Sequence, residues 1–344
     1  MLLNPLESRR LLSFAVEKHF AILALNADSP SCVLDGLEAA RACRSPIIIE
    51  TSLWQLEGRS FGAGDPLRGM ARYIADLCIL AESEPFRDIP VLYHTDHIKG
   101  PKTLDLLTKA IQGLPVRMAG MDLKLSPSTI SLDSSELKDE ENIAYISALA
   151  QAAKDSGRAA TFEMEAGVDE GLTPPEVVKH LVGGVEAKHP GALWLFAPGV
   201  GSRHGLSDKG FPEFSPDHVG TNKKLLKEIT GRDLGIALHG SSGLPDSSLG
   251  DAVAQGVTKV NWSSESLLMR SEWAREYYLK FGDHIRAGDS QFKATAMDNG
   301  VQSYVSARYV PKVVERMRLL GGEGMADRWI PSPTGGRDRE GEGA

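Results

Sequence analysis

Along the chain, short apolar runs rich in β-branched and aromatic residues alternate with longer stretches whose apolar positions recur every three to four residues. The short runs lie at 21–26, 46–52, 89–96, 117–123, 160–167, 193–199, 235–240 and 257–263, and most end in a polar residue or glycine. Helical periodicity occupies 32–43, 66–83, 103–113, 141–156, 174–188, 219–230, 246–255 and 265–281. Strands alternating with helices form a parallel sheet, and eight such units in about 250 residues predict a TIM (β/α)8 barrel. The alternative, an open doubly wound sheet, would ordinarily stop at about five or six strands. Segments 5–18 and 303–322 predict extra N-terminal and C-terminal helices flanking the barrel. Residues 1–330 therefore read as one barrel domain, and 331–344, rich in glycine, proline and charge without apolar periodicity, as a disordered tail.

Composition narrows the partner. With 38 basic against 46 acidic residues and a net charge of −8, the chain has no basic stripe for a nucleic-acid backbone. Its apolar runs are too short for a membrane span, and the first twenty residues lack the basic, apolar and small-residue succession of a secretory leader. Cys32, Cys43 and Cys78 are odd in number and scattered, which suggests neither a disulfide framework nor a thiolate metal site. The expectation is a cytoplasmic protein acting on a small molecule.

A TIM barrel carries its chemistry at the C-terminal ends of its strands, so strand ends become site predictions. Those ends hold Asn26, Ser52, Asp96, His97, Glu165, His239 and Asn261, with His204 just beyond the sixth run. Any one of these histidines fits a hydrogen-bonded core position. Three from separate strands fit a catalytic zinc with one coordination position left for substrate. His94 shares the alternation parity of Asp96 and is a candidate supporting group. The tracts 239–243 and 261–265 place glycines and serines before helix starts, which suits a phosphate; the same serines could simply cap those helices.

The tracts VLYHTDH at 91–97, ISLDSSELKDEENI at 130–143, FEMEAG at 162–167, SRHG at 202–205, HGSSGLPD at 239–246 and GVTKVN at 256–261 resemble, in this order, the class II zinc-dependent ketose-bisphosphate aldolases. The resemblance implies one Zn2+ per chain on His97, His204 and His239, with Asp133 and Glu165 as further metal carboxylates and room for a second divalent or monovalent cation. It implies that Asp96 handles the aldol hydroxyl proton. Gly205, Gly240, Ser242, Asn261 and Ser264 would hold the phosphate of dihydroxyacetone phosphate, and Asn26 and Ser52 would line the pocket. The family is usually dimeric or larger, so a homo-oligomer is expected.

Several positions depart from the family pattern. The loop at 168–172 is shortened, leaving Glu170 or Asp169 to stand in as the base for the carbon-bound proton. Ser263 replaces an aspartate that helps to hold the ketose phosphate, and Ser241 replaces a glycine beside the phosphate position. Either Arg270 or Arg308 is a candidate for a distal phosphate. The expected function is aldol cleavage or condensation of a ketose phosphate through an enediolate, with an acceptor other than glyceraldehyde 3-phosphate. The alternatives are a non-catalytic aldolase-like barrel that binds a sugar phosphate, and another zinc-dependent lyase or hydrolase on the same barrel.

Overall fold

The computed structural model describes residues 1–99, 103–167, 169, 171–206 and 213–329. Helix α1 (Pro5–Lys18) begins with a capping box between Asn4 and Glu7 and a proline at its first turn, and it ends at His19 in the left-handed conformation. There follow β1 (Ile22–Asn26), α2 (Pro30–Cys43), β2 (Ile47–Thr51), the short α3 (Leu53–Glu57), α4 (Pro66–Ala81), β3 (Val91–Thr95) and α5 (Leu104–Gln112). A pair of antiparallel strands, β4 (Leu114–Met118) and β5 (Met121–Leu125), precedes β6 (Thr129–Ser131), α6 (Asp139–Asp155), β7 (Phe162–Ala166), α7 (Pro175–Lys188) and β8 (Leu193–Pro198). The chain continues through α8 (Pro216–Thr230), β9 (Gly235–Leu238), α9 (Asp246–Ala254), β10 (Val257–Trp262) and α10 (Ser264–Phe281) to α11 (Phe292–Ala296), α12 (Asp298–Leu319) and α13 (Met325–Arg328).

Strands β1, β2, β3, β6, β7, β8, β9 and β10 close into a barrel with all neighbours parallel. Seven of these are the predicted runs. The predicted strand at 117–123 is instead the bend of the β4–β5 hairpin: Ala119 and Gly120 take φ of 48° and 85° and turn the run back on itself. Most of β5 faces solvent, so that run has no core face. The fourth barrel strand is the three-residue β6, buried throughout but too short and too polar to show as a run. The expected tail at 331–344 lies outside the described residues. No helix among the described residues is long and apolar enough to cross a membrane, and the three cysteines are free thiols.

The barrel interior is layered, as alternation along each strand requires. Ile22, Ala24, Ile48, Leu92 and Leu195 join Leu11, Leu12 and Ala15 of α1 in one apolar cluster, so α1 stoppers the end where the strands begin. Two residues further along the strands, the same inward parity brings Glu50, His94, Glu163 and Lys259, all fully buried. Two further again come Asp96, Glu165 and Asn261. Apolar floor, charged middle and polar mouth are stacked along one axis.

Candidate active site

His97 follows β3, His239 follows β9 and His204 lies in the segment after β8. Their rings meet nearly perpendicular, with centroids 4.4 Å apart for His97 and His204, 5.0 Å for His97 and His239 and 5.7 Å for His204 and His239. His97 has a φ of 47°, in the left-handed region that residues other than glycine seldom adopt, and such a conformation is retained where the surroundings over-determine it.

Each imidazole gives one N–H to a carboxylate. His97 Nδ1 donates to Asp133 at 3.1 Å, His204 Nδ1 to Asp169 at 2.9 Å, and His239 Nε2 to Glu163 at 2.8 Å. Asp169 also accepts the backbone N–H of His204 at 2.7 Å. One atom from each of the three rings lies within 4.8 Å of the other two. Fully buried Nδ1 of His239 has no hydrogen-bond partner among the described residues, and a buried polar atom without one is costly. Three imidazoles each backed by a carboxylate, with one nitrogen of each converging on the other two, are a donor set that fits a tetrahedral divalent cation. The charges agree with this. Burial disfavours a charged His97, but Asp96, Glu165 and Asp133 outweigh it and raise its pKa well above the usual range, so the site is strongly electronegative.

The two oxygens of Asp96 accept from Asn26 Nδ2 at 3.1 Å and Asn261 Nδ2 at 2.9 Å. Burial would raise its pKa, but His97, His239 and Lys259 overcome that and hold it below the ordinary carboxylate value. Glu165 lies 3.5 Å from His97 Nδ1 and 3.7 Å from His239 Nδ1, and its other oxygen accepts from Ser131 at 2.6 Å. With Asp96, His97 and His239 it forms a second converging group, deeper in the barrel. Burial, followed by the negative charge of Asp133, raises the Glu165 pKa well above normal. Asp133 joins neither group: besides His97 it serves Ser135 Oγ at 2.6 Å and Lys99 at 3.3 Å, so the structure places it behind His97 rather than at the converging nitrogens.

A cavity of about 390 Å3 opens at these groups, lined by Asn26, Ser52, Asp96, His97, His204 and Asn261 and by Gly205, Gly240, Ser241, Ser242, Ser263 and Ser264. Gly240 has φ of 62°, and a Cβ there would stand 2.5 Å from the Arg203 carbonyl oxygen, so only glycine fits this turn. Ser241 lines the cavity, and its hydroxyl donates to the Asn261 carbonyl, tying the turn after β9 to β10. Ser242 Oγ accepts the Glu265 amide at 3.1 Å. Neither arginine considered for a distal phosphate lines the cavity: Arg270 pairs with Asp35 over the Tyr309 ring, and Arg308 lies over Tyr304. Of the two candidate bases, Asp169 is held on both oxygens by His204, and Glu170 lies outside the described residues.

Sequence reading missed Glu50, Glu163 and Lys259 under the site. Lys259 Nζ lies 3.0 Å from Glu163 and 3.2 Å from Glu50. The signal was available: each sits two positions before a strand-end residue already named, on the same inward parity. Gln55 was missed because it belongs to α3, whose five residues carry too little periodicity to be seen.

The family described as Fructose-bisphosphate aldolase class-II matches residues 7–325. A fructose-bisphosphate aldolase of Candida albicans is 28% identical over 299 residues, covering 80% of this chain and 82% of that protein. One of Ureaplasma parvum is 27% identical over 290 residues, covering 82% and 88%. Among solved structures, the Campylobacter jejuni fructose-bisphosphate aldolase superposes with a TM-score of 0.76 at 22% identity, over 94% of this chain and 96% of that one. The YdjI aldolase of Escherichia coli K12 superposes at 0.68 and 18% identity, over 95% and 100%. The barrel, the order of its strand-end residues and a match spanning residues 7–325 lead to one conclusion: the chain belongs to the class-II fructose-bisphosphate aldolase family and is a carbon–carbon lyase of the aldolase type.

Proposed function

We propose that the chain is a zinc-dependent aldolase that reversibly cleaves a ketose phosphate, with dihydroxyacetone phosphate as the donor half. The observation that carries this is the triplet of carboxylate-backed histidines, one with an orphaned buried nitrogen, at a cavity that glycines, serines and an anchored aspartate also line. His97, His204 and His239 would hold the ion, with Glu165 and Asp96 available to a second or displaced cation. When bound, the ion supplies Lewis-acid stabilisation of the negative charge that develops on the donor's carbonyl oxygen.

The chain's own groups do the rest. Gly205, Gly240, Ser242, Ser263 and Ser264 offer the cradle for the donor phosphate, with Ser241 bracing it through Asn261. Asn26 and Asn261 keep both lone-pair directions of Asp96 fixed, so the carboxylate meets the aldol hydroxyl in one orientation and takes its proton on cleavage. Ser52 lines the same cavity. Glu170, next in sequence to the aspartate that orients His204, is assigned the carbon-bound proton.

The test is metal content by elemental analysis together with hydrogen exchange on dihydroxyacetone phosphate. About one zinc per chain is expected, with exchange lost in His239→Ala. Metal-free protein whose exchange survives chelation would refute the reading.

A further inference from the structure

Resting on the aldolase reading, we propose that the aldehyde half of the cavity is built for an uncharged polyhydroxy aldehyde held against Trp54 and Glu57, rather than for a phosphorylated one.

Both residues lie on α3 and line the same cavity as Asp96 and His97. That short helix is fastened to the site. Leu56 is fully buried, and Gly69 of α4 approaches so closely that a Cβ there would lie 2.0 Å from the Leu56 carbonyl oxygen. Gln55 accepts the Ser52 amide at 2.7 Å and donates to Asn26, which in turn donates to Asp96. One hydrogen-bonded chain therefore joins α3 to the acid/base carboxylate, and Trp54 and Glu57 of that helix line the same cavity. Trp54 is nonetheless 58% exposed. An indole held rigidly at a cavity wall with its surface uncovered is a ready platform for the C–H face of a ligand.

Charge decides what kind of ligand. Among the described residues lining the cavity, Lys99 is the lysine or arginine present, and its Nζ is already engaged by Glu136 at 2.7 Å and Asp133 at 3.3 Å. Glu57 adds a carboxylate on the aldehyde side. Among the described residues that line the cavity, a second phosphate there would face that carboxylate with no free counter-charge. A hydroxylated chain, in contrast, gives Glu57 O–H donors to accept and lays its carbon face on Trp54. Discrimination by an unpaired like charge is the repulsive half of specificity.

The experiment measures condensation of dihydroxyacetone phosphate with glyceraldehyde, erythrose and the pentoses, against glyceraldehyde 3-phosphate and erythrose 4-phosphate. For the best unphosphorylated acceptor, kcat/KM should exceed that of either phosphorylated one by about tenfold or more. Trp54→Ala should raise the acceptor KM by about tenfold, with a much smaller change in the donor KM. Glu57→Lys should shift the preference toward glyceraldehyde 3-phosphate by about tenfold. A wild-type ratio of about one or less overturns the proposal, as does a Trp54→Ala effect equal on donor and acceptor. Hydrogen exchange on dihydroxyacetone phosphate alone separates the two levels. Exchange with the wrong acceptor preference sinks only this inference, whereas no exchange sinks the aldolase reading and this inference with it.

Discussion

Asp96 is held by two asparagine amides from β1 and β10, strands that neighbour each other in the barrel, so its orientation is a property of the wall and not of a loop. Asp96→Ala should lower kcat for cleavage by about 10²–10⁴, the usual share of a positioned acid/base, as steady-state kinetics would show. Glu163 acts one step away, through His239. Its carboxylate accepts Nε2–H and leaves Nδ1 as the lone pair. Glu163→Gln can present an amide N–H there, which favours the opposite tautomer. Metal affinity should fall by about 10–100-fold in a chelator competition, and an unchanged affinity would mean that the tautomer is fixed by something else. The three histidines were legible in sequence because each stands at or near a strand end. Their carboxylate partners were harder: Asp133 and Asp169 find His97 and His204 across 36 and 35 residues, because β3 pairs with β6 and β7 with β8, and the periodicity of the chain does not show that pairing.

At the scale of elements, legibility followed length. Strands of four to six residues with β-branched or aromatic side chains were visible, whereas β6, only Thr129–Ser131, was overshadowed by the longer hairpin before it. Period alone cannot distinguish a buried barrel strand from an exposed ribbon. The turn after β9 shows how little latitude a short element leaves. Gly240→Ala would force a Cβ against the backbone of Arg203 at positive φ, so the two loops must separate. The expected outcome is a rise in the KM for dihydroxyacetone phosphate of about tenfold or more, together with a stability loss of about 1–3 kcal/mol in chemical denaturation. At the opposite end, Leu11 of α1 is wholly buried in the floor of the barrel. Leu11→Ala should cost about 2–5 kcal/mol in the same measurement while leaving the donor KM in place, because the floor and the mouth are separate layers.

Across the whole molecule, the middle layer joins the apolar floor to the site, and it is electrostatically unbalanced. Two glutamates share one lysine there, and the closer contact goes to Glu163. Glu163 is drawn well below the ordinary carboxylate range: burial opposes this, but Lys259, His94 and His239 outweigh it. Glu50 bears the cost. Burial first, then the negative charge of Asp96, pushes its pKa from 4.5 up to about 8, and Lys259 only partly offsets this. A carboxyl that titrates higher in the native state holds its proton between those two values while the unfolded chain releases it. The native state therefore binds more protons across that window, and stability falls as pH rises from about 4.5 toward 8. Below the window both states are protonated; above it both are ionised and the penalty is complete. Glu50→Gln removes this titration but keeps the shape, and Lys259 retains Glu163 as its partner. The urea midpoint of the variant should therefore gain on that of the wild type between about pH 5 and pH 8, with the gain spread across the range and levelling off as pH nears 8. An equal gap at both ends would show that Glu50 is already ionised near pH 5, and that Lys259 is shared between the two glutamates more evenly than their distances indicate.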